Sequence, residues 1–180
     1  ALWQSSLHKA LVFQVGASSR KAVQALRGGN VWVSFVKQGT QAYLPDADVA
    51  DTLTQVSGGW EYRDARAQAI EYYDAAGRVT SISFANGRRL VYAYSNASTP
   101  VSVAPVAGLL ISVADHFGRT VQFNYEQPAG VLQPRVNRII DPDGKFVNFS
   151  YDGSQNLAAI EWQDLSVRQF RYMQPGLPWA

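Results

Sequence analysis

Apolar and polar side chains alternate along much of this chain, and short turn-forming stretches separate the alternating runs. In residues 73–94 (YDAAGRVTSISFANGRRLVYAY), one run covers residues 79–84 and a second covers residues 90–94. Such alternation places the large side chains on one face of a β-strand. Asn86-Gly87 between the runs is a strong hairpin signal, and residues 74–77 favour a tight turn. The stretch therefore predicts a turn, a strand, a second turn and a second strand.

This hairpin pattern recurs three further times, at intervals of 31, 26 and 21 residues (82 to 113, 113 to 139 and 139 to 160). The two longer intervals contain proline-bearing insertions at residues 95–105 and 126–134. Repeats of this size bury their apolar faces against their neighbours. The predicted turn residues are Tyr73, Asp74, Gly77, Asn86, Gly87, Gly118, Gly144 and Asp152, whereas the fourth unit has Asp164-Leu165 in place of the hairpin glycine.

Each unit carries an aromatic residue followed two positions later by tyrosine, so each pair lies on one face of its strand. One interpretation is a ladder of packing contacts between neighbouring hairpins. The other is a sugar-binding platform made of exposed rings. Recurrence in every unit favours packing, because a binding site needs only one or two such pairs. The pairs are Tyr92 and Tyr94, Phe123 and Tyr125, Phe149 and Tyr151, and Phe170 and Tyr172.

These motifs resemble the YD repeat of the Rhs (rearrangement hotspot) proteins. YDAAGRV (residues 73–79) and YDGSQNL (residues 151–157) are similar to the Tyr-Asp turn of that family. DHFGR (residues 115–119) and DPDGK (residues 141–145) resemble its second turn. Residues 43–62 are similar to the region that precedes the repeats in bacterial Rhs polymorphic toxins. The resemblance covers about residues 30–172, although the second unit lacks a Tyr-Asp start.

The resemblance implies an all-β fold, an antiparallel strip of YD-repeat hairpins that forms an open segment of an Rhs-type β-shell. We expect an N-terminal β segment over residues 1–56 and hairpin repeats over residues 57–180, continuous with it. In that family the shell encloses a C-terminal toxin domain and helps to deliver it, by type VI secretion or another export route. The expected partners are the rest of the shell, the toxin domain and the secretion apparatus, in a secreted or cell-surface bacterial protein.

A second hypothesis is a cell-surface β-repeat module that binds a glycan or a protein partner through exposed aromatic rings or free strand edges. Free edges also make an edge-mediated oligomer conceivable. Neither hypothesis gives this chain an enzymatic activity or a cofactor.

The amino-acid composition excludes several classes of partner and site. The chain is 47% hydrophobic and 17% charged with a net charge of +2, and its Lys and Arg residues are scattered, so we expect no nucleic-acid partner. It contains no cysteine, which excludes disulfides, thiolate metal sites and a cysteine nucleophile. It has no apolar run long enough for a membrane span and no signal peptide. The chain begins with alanine, and we interpret it as a piece of a longer protein.

Residues that could carry chemistry are few. The histidines, His8 and His116, lack a convergent ligand set, and the chain has no Gly-x-Ser-x-Gly context for a nucleophile. The acidic stretches at residues 46–51 and 141–143 have Asp-x-Asp spacing but lack the further ligands of a calcium loop. Asp-Pro-Asp-Gly is typical of a type I turn in which the aspartate bonds its own backbone. We therefore expect no metal site and no catalytic residue.

The N-terminal part predicts further short strands. Residues 11–15 and 31–36 are strand-like, and residues 57–59 predict another hairpin turn. Residues 18–27 are compatible with a short helix, a strand or a loop. Turns are expected at Gly28-Gly29-Asn30 and Gln38-Gly39, and residues 173–180 are interpreted as the start of another unit or a frayed tail.

Overall fold

The computed structural model describes residues 7–15, 21–28, 31–38 and 42–172, and every regular element in these ranges is a β-strand. Strand order in the sheet follows the order of the chain, and the described neighbours pair antiparallel. The prediction of an all-β antiparallel fold is confirmed. The strands are β1 (Ala10–Val15), β2 (Lys21–Leu26), β3 (Trp32–Gln38), β4 (Ala42–Leu44), β5 (Thr52–Val56), β6 (Gly59–Asp64), β7 (Ala69–Asp74), β8 (Val79–Phe84), β9 (Arg89–Tyr94), β10 (Leu110–Asp115), β11 (Thr120–Glu126), β12 (Arg135–Ile140), β13 (Phe146–Tyr151), β14 (Leu157–Trp162) and β15 (Val167–Gln169).

The segment for which the sequence left helix, strand and loop open contains strand β2. It pairs with β1 in a register that places Ala10 opposite Leu26. Val23 and Ala25 are buried, so alternate positions of β2 face the core. The remaining predictions at residues 18–20, 29–30, 39 and 173–180 lie outside the described residues.

The chain divides into two compact units, Ala1–Tyr92 and Ala93–Ala180. The predicted boundary after residue 56 separates sequence patterns and stays a prediction.

In the first unit, the N-terminal strands lie over β6 and β7. The rings of Phe35 and Tyr62 meet edge to face with centroids 5.6 Å apart, and Phe13 contacts Trp60 at 5.3 Å. Phe35 and Tyr62 are completely buried. The N-terminal strands therefore cover the apolar face of the strands that follow them.

In the second unit, the pairing register separates an apolar from a polar sheet face. Phe123 pairs with Ile139, Ile139 with Val147, and Phe149 with Ile160. Directly paired residues project to the same face of a sheet. The opposite face carries a row that is mainly polar, formed by Asn124, Arg138, Asn148 and Glu161.

Most positions on the apolar face of the second unit become more exposed toward the end of the chain, although Leu157 at the start of β14 is only 2% exposed. Phe123 on β11 is 2% exposed and Tyr125 is 7% exposed, whereas Trp162 on β14 is 38% exposed. Between them, Ile139 and Phe149 are half-buried. This unit therefore has a covered apolar end and an incompletely covered one.

Six turns share one hairpin geometry. In the turn at residues 74–78, the amide of Gly77 donates to the carbonyl of Asp74 (3.0 Å), and the amide of Asp74 donates to the carbonyl of Arg78 (2.9 Å). This pattern is a three-residue loop, a type I turn followed by a bulge residue with positive φ. The same two bonds close the turns at residues 84–88, 115–119, 141–145, 152–156 and 162–166.

The fourth residue of these turns has φ between 66° and 83°, whether or not it is glycine. In the turn at residues 84–88, only Gly87 has positive φ, so Asn86 occupies a right-handed position and the loop is longer than a two-residue hairpin. Gln155 and Leu165 adopt φ of 66° in the two turns that lack glycine at the fourth position. The hairpin of the fourth sequence repeat therefore forms although this repeat has Leu165 in place of the turn glycine.

Candidate functional site: repeat turns, aromatic pairs and an ion cluster

An aspartate at the first position ties each of four turns together. In the turn at residues 115–119, the Asp115 carboxylate accepts hydrogen bonds from the amides of Phe117 (2.9 Å) and Arg119 (3.0 Å). The Arg119 guanidinium pairs with the other carboxylate oxygen at 2.6 Å. Desolvation opposes ionisation of Asp115, but these bonds and the Arg119 charge hold its pKa below the ordinary value. Asp74, Asp141 and Asp152 bond the amides of Arg78, Lys145 and Asn156 in the same way.

The Asp-x-x-Gly-Arg pattern therefore has a complete local explanation. The aspartate caps the loop, the glycine takes positive φ, and the basic residue pairs with the aspartate across the turn. Asp141 accepts from the amides of Asp143 and Lys145, as expected for a turn residue that bonds its own backbone. His116 is exposed at the tip of its turn.

Three members of the predicted aromatic pairs are buried. Tyr92, Phe123 and Tyr125 are 2% to 7% exposed, so their ring faces are not accessible to a sugar. Burial raises the pKa of Tyr125 to about 12. Burial, together with the negative charge of Glu71, also raises the pKa of Tyr92 to about 12. Tyr94, Phe149, Tyr151 and Phe170 are half-buried and Tyr172 is exposed.

Two of the tyrosines bridge the strands of their own hairpins. The hydroxyl of Tyr125 on β11 donates to the carbonyl of Leu110 on β10 at 2.8 Å. The hydroxyl of Tyr151 on β13 donates to the carbonyl of Val136 on β12 at 2.6 Å. Each bond joins residues fifteen positions apart. The second aromatic residue of the pair therefore has the same role in both of these hairpin repeats.

An ion cluster lies inside the first unit. Its centre is the carboxylate of Glu71 on β7, which is fully buried. The ammonium group of Lys9 and the guanidinium of Arg27 both pair with it. The hydroxyl of Tyr73 donates to it at 2.6 Å, and Arg27 also pairs with Asp64 at 2.8 Å. Two cations therefore meet two carboxylates in a largely dehydrated space.

The surroundings of this cluster shift the ionisation of its members. Desolvation opposes the charged form of Glu71, but the hydrogen bond and charge of Arg27 and the charge of Lys9 outweigh it, and the pKa of Glu71 falls below its ordinary value. The pKa of Arg27 is raised, because its bond to Glu71 and the negative charge there outweigh desolvation. Burial, followed by the neighbouring negative charge of Glu71, raises the pKa of Tyr73.

The Arg27 guanidinium also lies over an aromatic ring, 3.9 Å from the centroid of Tyr62. The Tyr62 hydroxyl donates to Asp51, which in turn accepts the amide of Ala65 at 2.9 Å. The cluster thus extends from the N-terminal strands through β6 to the loop that precedes β5.

Comparison with known proteins agrees with this geometry. The family model described as RHS Repeat matches residues 73–103, which include the first Tyr-Asp turn, the second turn and the first aromatic pair. Residues 73–103 are therefore an RHS repeat. A search of curated proteins finds no match to it. The matched repeat supports a structural repeat protein of the Rhs family.

The ion cluster is absent from the features predicted from the sequence. Strand β7 has the alternating pattern of a half-buried strand, with Ala69, Glu71 and Tyr73 on its inward face. A glutamate at an inward position needs a partner, because an unpaired buried charge is costly. The inward position of Glu71 in the alternating pattern therefore indicates a buried ion pair. It does not identify the partners Lys9 and Arg27, which lie 62 and 44 residues away.

A groove of about 400 Å³ lies in the second unit between the turns at residues 115–119 and 141–145. Phe117 at its rim is 73% exposed, and Arg119, Gln122 and Asp141 line it. Within the described ranges, no group of three or more acidic or histidine side chains is placed to hold a metal ion. The same ranges contain no helix long and apolar enough to cross a membrane.

Proposed function

We propose that this Rhs chain is a structural wall segment of a shell that encapsulates a C-terminal toxin domain and helps to deliver it, without catalysis of its own. The observation that carries the proposal is the amphipathic sheet of the second unit, which is apolar on one face and mainly polar on the other. Antiparallel sheets commonly keep one face in solvent and cover the other. An apolar face that is covered at Phe123 and increasingly exposed toward Trp162 is suited to further protein packing against it.

The uniform turns support the same role. One loop geometry closes six hairpins, so units can be added with little change in local structure. The proposed partners are the rest of the shell, the enclosed toxin domain and a secretion apparatus. The proposed parent is a secreted or cell-surface bacterial protein.

The test uses the full-length parent protein with whatever domain follows the repeats. We expect that domain to resist a protease when it is joined to the repeats and to be digested when it is expressed alone. Phe149→Asp, which places a charge on the apolar face of β13, should shorten the digestion time of the domain at least tenfold. Ser150→Asp, on the opposite and exposed face of the same strand, is the matched control and should leave it unchanged.

Circular dichroism of both variants must show that the β-structure is retained. Equal digestion rates for the joined and the free domain would overturn the enclosure proposal. A parent protein with no domain after the repeats would do the same.

The groove beside Phe117 favours a second candidate function, the binding of a glycan at the cell surface. An exposed ring next to amide, carboxylate and guanidinium groups offers a stacking surface and hydrogen-bonding partners for a pyranose. Isothermal titration with chitotriose, cellotriose and a heparin tetrasaccharide should give binding that Phe117→Ala removes. Leu165→Ala, an equally exposed apolar turn residue, should not affect it. Flat titrations with all three sugars would reject this candidate.

A further inference from the structure

Two cations lie at the same end of the N-terminal hairpin. Lys9 directly precedes β1 and Arg27 directly follows β2, and the pairing of Ala10 with Leu26 places them side by side. Both reach the buried carboxylate of Glu71, which belongs to a strand more than forty residues later in the chain. The hairpin is therefore held to β7 by its open end.

We propose that this ion cluster is a latch that docks the β1–β2 hairpin on β7 in a single register. The reason is the completeness of the bonding around Glu71. One carboxylate oxygen pairs with Lys9 and with Arg27 (2.8 Å), and the other pairs with Arg27 and accepts the Tyr73 hydroxyl (2.6 Å). A displaced hairpin would leave a buried charge without partners, which is a far larger penalty than displaced apolar contacts.

A backbone contact next to the latch fixes the same register. The amide of Leu11 donates to the carbonyl of Gly77 at 2.8 Å, and Ala10 forms an isolated bridge with Arg78. Leu11 is two residues from Lys9, and Gly77 lies in the turn that follows β7. Side-chain charges and backbone atoms therefore position the same short segment from two directions.

Apolar packing alone specifies this register less sharply. The rings of Phe13 and Trp60 meet in a tilted arrangement, and Phe13 is 40% exposed. A slip of two residues along the strand would keep the same face buried and exchange such contacts for similar ones, whereas a carboxylate with a complete set of donors has one arrangement. The latch is thus a device for conformational specificity, and it does not depend on the proposed shell function.

The charged and titratable groups that face Glu71 determine how the latch responds to pH. Besides Lys9 and Arg27 these are Asp64 on β6, Tyr73 on β7, Tyr62 on β6 and Tyr92 on β9. Because the pKa of Glu71 is lowered on folding, its contribution to stability is complete above its ordinary pKa of 4.5 and is lost as the pH falls through the folded pKa. The latch therefore stays closed in neutral and mildly acidic solution.

The first test is amide hydrogen exchange at Leu11, measured by NMR at neutral pH. Glu71→Gln keeps the shape of the side chain and removes its charge, and it should accelerate exchange at Leu11 at least tenfold. The amide of Tyr125, which donates to Val103 in the second unit, should keep its rate. Glu126→Gln breaks a partly exposed pair with Arg135 and is the matched control that should leave Leu11 protected.

A double variant keeps the proposal testable if Glu71→Gln fails to fold. Arg27→Met with Glu71→Leu replaces the central pair by apolar groups of similar size, which restores packing without the latch. We expect a folded β-protein in which Leu11 loses its protection or shows more than one resonance. A single Leu11 resonance with the exchange rate of the unmodified chain would overturn the proposal.

Discussion

At the scale of single residues, Gly77 differs from the other turn glycines. Gly77 and Gly87 occupy the same turn position in the first unit, with φ of 83° and 82°. A Cβ atom on Gly87 would meet nothing within 4 Å, whereas one on Gly77 would lie 2.1 Å from the carbonyl oxygen of Leu11. Gly77 therefore has two independent reasons to be glycine, its positive φ and the close approach of β1.

We expect Gly87→Ala to cost about 1–2 kcal/mol of unfolding free energy, because the residue must adopt a left-handed conformation. Gly77→Ala should cost roughly a further 1–3 kcal/mol, because Leu11 must move away from the added methyl group. Urea unfolding followed by tryptophan fluorescence measures both values. Equal losses in the two variants would show that the contact with Leu11 contributes nothing.

Tyrosine ionisation is a second prediction at this scale. Burial raises the pKa of Tyr125 to about 12, so its folded state favours the neutral phenol. A raised pKa gives a contribution to stability that is complete below the ordinary value of 10 and is lost as the pH rises toward 12. In an ultraviolet titration of phenolate absorbance, Tyr125→Phe should remove one late-ionising group. A titration curve that loses an early-ionising group instead would contradict the buried position.

At the scale of the hairpin, the buried Tyr125 joins β11 to β10 through its hydroxyl. Tyr125→Ala should destabilise the second unit by roughly 3–5 kcal/mol, as large-to-small substitutions in a core do. Tyr125→Phe should cost about 1–3 kcal/mol, because the buried carbonyl of Leu110 loses its donor.

The matched control is Tyr172→Ala. Tyr172 has the same position in the fourth sequence repeat but is 51% exposed, so its replacement should change the free energy of unfolding by less than about 0.5 kcal/mol. Chemical denaturation of the three variants compares these values directly. Similar losses for Tyr125→Ala and Tyr172→Ala would mean that the repeat position, and not burial, sets the cost.

The hairpins could be predicted from the sequence because their determinants are local. Asp115, Gly118 and Arg119 lie within five residues, and their turn forms from bonds among them. Residues 18–27 are ambiguous because apolar and polar side chains do not alternate in KAVQAL (residues 21–26), and the conformation of this strand depends on pairing with β1 and β3. The ion pairs of the cluster join residues separated by 37 to 62 positions, so no local pattern contains them.

At the scale of the whole molecule, the decline in burial along the second unit has a dynamic consequence. Strand β11 holds buried Phe123 and Tyr125, whereas every residue of β15 is exposed. Local opening is easiest where few apolar contacts must be broken. In the chain alone, backbone amides should therefore exchange slowly in β11 and progressively faster through β13, β14 and β15.

In the full-length parent, the increase in amide exchange rate from β11 to β15 should be smaller if further protein covers the apolar face of the repeats. Amides of β13 to β15 should then exchange at least tenfold more slowly in the parent than in the chain alone, because opening must also break the added contacts. Amides of β2, whose apolar side chains Val23 and Ala25 are already buried in the first unit, are the internal control and should keep their rates. Mass spectrometry of peptides from both proteins provides the comparison. Unchanged exchange in β13 to β15 would mean that the exposed end of the sheet stays uncovered in the parent, and a wall function for this end would then be untenable.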